Sequence, residues 1–223
     1  MNTDILKNLN RRLDHAALKS NVTETTIRTA CREAVEHRLY ALAVNPAWVP
    51  VARDELAASD TRILSVAGFP LGASRPDIKA DEAARGVRDG AREIDMVANI
   101  GWLRDRDRLT DVEKEIKLVR QAIPYNVILK VIIECPMLTV EQMHDATLAV
   151  INGGAQFVKT ATGFFGGATV DQVRTLHRAA AGQIEVKASG GITTLDHCRN
   201  LLDAGATRLG TSSSVAIMNE LNA

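Results

Sequence analysis

The sequence lacks most of what marks a secreted, membrane-bound or nucleic-acid-binding protein. Its 223 residues include only three cysteines, Cys31, Cys135 and Cys198, far apart and odd in number. A disulfide framework and a CxxC site are therefore not expected. No segment approaches the ~18 consecutive apolar residues of a membrane span, and "MNTDILKNLNRRLDH" has no apolar stretch of signal-peptide length. Lys+Arg and Asp+Glu both number 27, so the formal net charge is zero. No basic stripe interleaved with aromatics suggests a nucleic-acid partner. The nucleotide-binding G-x-G-x-x-G and P-loop patterns and the hydrolase pattern G-x-S-x-G do not occur. His15, His37, His144, His177 and His197 have no metal-ligand spacing with Cys, Asp or Glu, and His15 alone falls near a candidate site. A cytoplasmic protein with no metal, no cofactor and no membrane or nucleic-acid partner is the expectation.

What is present is an alternation. With 46% hydrophobic and 24% charged residues, the chain can bury one sizeable core. Short apolar runs ("LYALAV", "RILSVA", "EIDMVA", "VILKVII", "FVKTA", "IEVKA", "TRLG" and a shorter "RRLDH") alternate with helical patterns. Val112, Ile116, Val119 and Ile123 are spaced for one helix face. Thr139 with Gln142 and Thr169 with Gln172 read as capping boxes, and Asn45-Pro46 as a cap followed by first-turn proline. Some eight β-α units without a linker predict a single (β/α)8 TIM barrel spanning residues 1–223. A doubly wound open sheet is the alternative, but "LDHAALK" has no phosphate-binding glycine motif after the first strand.

An internal repeat places the chemistry. "GAREID", "GAQFVK" and "GATRLG" each open on Gly-Ala and run into a strand, with Gly90, Gly154 and Gly205 as natural helix-terminating residues. The fifth residue after each glycine, Asp95, Lys159 and Gly210, should then share one height, at the C-terminal rim where barrels keep active sites. Three successive strands also carry a lysine among apolar neighbours: Lys130, Lys159 and Lys187. A lone lysine there is usually a snorkelling one. Three buried together are costly. At a reference pKa near 10.4, about one lysine in a few thousand is free amine at neutral pH. Dry surroundings and a second ammonium lower that pKa and make a nucleophile, at about 3–5 kcal/mol of destabilisation of the charged form. Lys159 is the expected Schiff-base former, with Asp95 and Lys130 as proton relay and Asp14 as a further carboxylate. "KASGGITT" and "LGTSSSV", after the last two strands, suit a phosphate group.

These residues bring a family into view. "LDH…LK", "VNP", "GFPLG", "EIDMVANIG", "LKVIIE", "VKTATGF", "VKASGGI" and "LGTSSS" resemble the deoxyribose-phosphate aldolases, in the same order across nearly the whole chain. The resemblance implies reversible, metal-free cleavage of 2-deoxy-D-ribose 5-phosphate to D-glyceraldehyde 3-phosphate and acetaldehyde. It implies Lys159 as the Schiff-base lysine, Lys187 as the neighbour lowering its pKa, and Asp95 with Lys130 as proton relay. Asp14, Thr162, Gly163, Gly190, Gly191, Gly210, Ser212 and Ser213 are the implied substrate and phosphate positions. The implied partners are a sugar phosphate and small aldehydes; a homodimer is the assembly left to be tested. A different Schiff-base aldolase and a catalytically silent sugar-phosphate sensor are the competing readings. The chain departs from the family pattern at Ala16 (usually threonine), Ala43 (often cysteine), Cys135-Pro136 (usually threonine after the glutamate), Thr193 (commonly arginine) and a "TGFFGGAT" loop one residue short.

Overall fold

The computed structural model describes residues 3–223. Eight parallel strands close in sequence order into one barrel: β1 Leu13–Ala17, β2 Ala41–Val44, β3 Arg62–Ala67, β4 Glu93–Val97, β5 Ile128–Ile132, β6 Phe157–Lys159, β7 Glu185–Ser189 and β8 Arg208–Thr211. Around them run α1 Glu24–Glu36, α2 Val49–Leu56, α3 Pro76–Asp89, α4 Ile100–Arg104, α5 Leu109–Ala122, α6 Val140–Asn152, α7 Val170–Ala180, α8 Leu195–Asp203 and α9 Ser214–Asn222. No described helix is long and apolar enough to cross a membrane.

The periodicities act as expected. Val112, Ile116, Val119 and Ile123 are all buried beneath α5. Both threonine–glutamine capping boxes form, at α6 and α7. Gly90, Gly154 and Gly205 all take positive φ. Asn45 differs from expectation: it precedes a 3₁₀ turn, and its side chain donates to the Leu18 carbonyl instead of capping. That bond ties the loop after β2 to the loop after β1.

The barrel interior is divided by chemistry. On the β1–β3 side it is apolar, with Ala41, Ala43, Leu64 and Val66 forming a cluster of their own against Ala16 and Leu18. From β4 round to β1 it is charged, holding Asp14, Glu93, Asp95, Lys130, Lys159, Lys187 and Arg208, all buried. The larger hydrophobic cluster lies outside the barrel wall, between strands and helices.

A separate buried pair braces the rim. Lys79 of α3 donates to the carbonyls of Gly72 (2.7 Å) and Val97 (2.8 Å) and to Glu115 of α5 (2.7 Å). The other Glu115 oxygen accepts the Asn99 amide at 3.0 Å. Two helices thereby hold the loop after β3 and the end of β4, the strand that carries Asp95. Removing one partner strands a buried charge. Lys79→Ala should lower the unfolding free energy by about 3–5 kcal/mol in chemical denaturation, whereas Lys79→Met with Glu115→Leu should recover most of it.

Candidate active site

Ladder register alone does not put Asp95 beside Lys159. Asp95 pairs with Lys130, and Lys130 pairs with Phe157, two residues short of Lys159. Barrel strands tilt, so a constant height advances about one residue per strand. Two strands on, that height is Lys159. Two further on, past Lys187, it is Gly210, because Lys187 pairs with Arg208. The Gly-Ala repeat therefore did mark one level of the barrel.

At that level one carboxylate meets three amines. Asp95 Oδ2 accepts from Lys159 Nζ and Lys187 Nζ, both at 2.8 Å, and Oδ1 accepts from Lys130 Nζ at 3.0 Å. Lys130 also reaches Glu93 at 2.5 Å. Lys187 lies 2.5 Å from Asp14 Oδ2 in an ion pair too poorly angled to be a well-formed hydrogen bond. Arg208 closes the network below, at 2.9 Å from Asp14 and 3.5 Å from Glu93, with its guanidinium 3.5 Å from the centre of the Tyr40 ring.

The buried part of the ion-paired network, on which exposed Arg62 makes only an outer contact to Glu93 at 3.4 Å, contains three carboxylates (Asp14, Glu93, Asp95) and four basic groups (Lys130, Lys159, Lys187, Arg208). It is electrically neutral only if one base gives up its proton. Lys159 is that base. Burial is the main force lowering its pKa, Asp95 opposes it, and Lys187 and Lys130 push it down again, to about 8. Burial thus outranks the neighbouring ammonium, which the sequence had put on an equal footing. Lys130 moves the other way: burial lowers it, but Asp95 and Glu93 outweigh burial and hold it above an ordinary lysine. Burial would raise the Asp95 carboxyl, yet the three lysines keep it well below the usual carboxylate range.

The amine of Lys159 opens into a cavity of about 210 Å³, lined on one side by Ala16, Leu18 and Ala43 and on the other by the loops after β6, β7 and β8. Thr162, Gly163, Gly190, Gly191, Gly210 and Ser212 all line it. Gly190 is required by packing: its φ is +92°, and a Cβ there would fall 2.8 Å from the Gly166 carbonyl oxygen. Gly210 makes room for a side chain, since a Cβ would sit 3.1 Å from Lys187 Cε. Two expected substrate positions have other partners as well: Asp14 lines the cavity, and Ser213 lies beside it. Asp14 lies in the cavity floor as the counter-ion of Lys187 and Arg208, a poor place to receive phosphate. Ser213 does not line the cavity, and its amide donates to the Thr211 hydroxyl at 2.9 Å. Arg208, on β8, is locked beneath the lysines and does not face the cavity's phosphate end.

Other residues join the site that sequence reasoning passed over. Glu134, the acid ending "LKVIIE", sits at φ 56°, ψ 60°, a conformation costly for a non-glycine residue. Its buried carboxylate accepts the Thr162 hydroxyl at 2.6 Å and the Thr162 amide at 3.2 Å, fixing the loop after Lys159. Lys19, the last residue of "LDHAALK", is exposed at the cavity mouth. Phe164 lines the cavity and packs edge-on against Phe69, at 5.5 Å between ring centres.

Opposite substitutions test the electrostatics. Lys187→Leu removes a cation, so the pH midpoint for acylation of the Lys159 amine should rise above its value of about 8. Asp95→Asn removes the carboxylate that opposes deprotonation, so the midpoint should fall. Peptide mapping of acylated protein across pH gives both; shifts of the same sign would contradict the network.

Comparison with known proteins agrees with this geometry. Residues 9–217 match the model of the DeoC/LacD family aldolases. Deoxyribose-phosphate aldolase of Deinococcus radiodurans is 47% identical over 208 residues, 93% of this chain and 94% of that protein. Among solved structures, one described as QR15, an aldolase, superposes with a TM-score of 0.92 at 37% identity, covering 96% of each chain. A tetrameric deoxyribose phosphate aldolase from Aeropyrum pernix gives a TM-score of 0.90 at 28% identity, covering 100% of this chain and 99% of that one. The chain belongs to the DeoC/LacD aldolase family.

Proposed function

We propose that this protein is a deoxyribose-phosphate aldolase that works through a Schiff base on Lys159. The observation that carries the reading is the one deprotonatable amine of the buried network, open to a cavity and in contact with Asp95. The free amine attacks C1 of open-chain 2-deoxyribose 5-phosphate. The carbinolamine loses water to give an iminium. Loss of the proton from the C3 hydroxyl then breaks the C2–C3 bond, the electron pair passes to the iminium nitrogen, and D-glyceraldehyde 3-phosphate leaves. Protonation of the enamine at C2 and hydrolysis release acetaldehyde and restore the amine. Asp95 bridges Lys159, Lys187 and Lys130, so protons can pass among the three amines through one carboxylate. In this scheme Lys187 holds the Lys159 pKa down, and Lys130 remains charged.

The phosphate is assigned to the rim opposite the apolar wall. Gly190, Gly191, Thr193 and Ser212 line that end. The first-turn amides of α9 lack acceptors inside the helix, and its N-terminal dipole favours an anion. Lys19 is the cation among the lining residues apart from Lys159 and Lys187. Phosphate recognition is accordingly mainly a backbone property here.

Borohydride reduction with acetaldehyde should add a two-carbon unit to the peptide containing Lys159; labelling of Lys130 or Lys187 instead would overturn the assignment. At the phosphate end, Thr193→Arg should raise the ratio of kcat/KM for 2-deoxyribose 5-phosphate over 2-deoxyribose about ten- to a hundredfold, the worth of one charge-assisted contact. An unchanged ratio would show that a cation already serves the phosphate.

A further inference from the structure

His15 follows Asp14 on β1 and so points out of the barrel as Asp14 points in. It is buried, yet fully engaged. Its Nδ1 lies 2.5 Å from the Ser214 hydroxyl and its Nε2 lies 3.2 Å from Glu33 Oε2. A neutral ring protonated on Nε2 satisfies both contacts: Nε2–H donates to the Glu33 carboxylate, and Nδ1 accepts the Ser214 O–H. The surroundings favour that state. Burial pushes the imidazole below an ordinary histidine against the pull of Glu33, and His37, just past the end of α1, pushes it the same way as burial.

Serine, histidine and a carboxylate in a row invite a hydrolase reading, which burial excludes. The Ser214 side chain has no exposure, so no substrate reaches its oxygen. Its position suggests another role. Ser214 is the first residue of α9, two beyond Ser212 at the cavity. The helices α6, α7 and α8 are each fixed at the start by a capping threonine. At α9 the cap residue Ser213 makes no side-chain cap bond and has φ −105°, ψ 18°, outside the extended conformation of an ordinary cap. Two side-chain ties hold the β8–α9 turn to its neighbours. Thr211 donates to the Ile192 carbonyl at 2.6 Å, joining it to the loop after β7, and Ser214 joins it to β1.

We infer that His15, held by Glu33, is a positioning residue that fixes the start of α9 through Ser214, and that this pair sets selectivity for phosphorylated over unphosphorylated substrate. The inference rests on the phosphate end assigned above. The first turn of α9 is thus anchored from another strand instead of being capped, so the amides facing the anion are aimed by a side chain that never touches it.

Steady-state retro-aldol kinetics on the full chain, with 2-deoxyribose 5-phosphate and with 2-deoxyribose, test it. Ser214→Ala and His15→Phe should each raise KM for the phosphorylated substrate about five- to tenfold, the scale of one lost hydrogen bond. Their kcat, and kcat/KM for 2-deoxyribose, should stay within about twofold of wild type. His15→Asn, which keeps an acceptor near the Nδ1 position, should restore most of the affinity. Inorganic phosphate, as a competitive inhibitor, should weaken in parallel. Equal losses on both substrates, or no change in Ser214→Ala, the mildest variant, would overturn the inference. If the wild type lacks retro-aldol activity the proposed function fails. Calorimetric binding of inorganic phosphate to wild type and Ser214→Ala then decides the role of Ser214 by itself, unequal affinities supporting it and equal ones refuting it.

Discussion

Everything at the centre of this barrel depends on Asp95 holding three amines at once. A lone buried ammonium would not remain charged, and several together would repel. One carboxylate within 3.0 Å of Lys130, Lys159 and Lys187 makes their assembly tolerable. Asp14 and Glu93 offset two further charges, and the remainder is one cation too many. The cluster therefore sheds a proton where the amine is least compensated. Lys130 has two carboxylate partners and Lys187 has two, but Lys159 has only its share of Asp95. Reactivity falls to the lysine with the fewest counter-ions.

The fold supplies this arrangement by dividing its interior. Small apolar residues on β1–β3 leave open space beside a packed polar half, so the cavity forms against Ala16 and Ala43. Around the rim, loops approach backbone to backbone because residues such as Gly190 lack a side chain. Glu134 accepts an unfavourable backbone conformation to hold Thr162, and the buried Lys79–Glu115 pair holds the loop after β3 and the end of β4. Such braces leave little freedom near the reactive amine, as a site built on preorganised charge requires.

Sequence reached much of this because barrels are regular. The Gly-Ala repeat worked for Asp95 and Lys159 because strand tilt moves a constant height by one residue per strand, and equal loops keep that count. Capping boxes at Thr139 and Thr169 were legible because their partners lie three residues away. The misses share the opposite property. Arg208 meets Asp14 across 194 residues, and His15 meets Ser214 across 199. No local pattern encodes either contact. Asp14 was legible as a cavity residue, but which cations it pairs with depends on barrel closure. The left-handed conformation of Glu134 was likewise hidden, since glutamate carries no propensity for it.

Neutron diffraction from deuterated crystals at two pH values, about one unit either side of the Lys159 midpoint near 8, tests the charge account most directly. Above the midpoint Lys159 should carry two deuterons, while Lys130 and Lys187 carry three and Asp95 none; below it Lys159 should gain the third. Three deuterons on Lys159 at the higher pH, with one missing from Lys130 or Lys187 instead, would contradict the account.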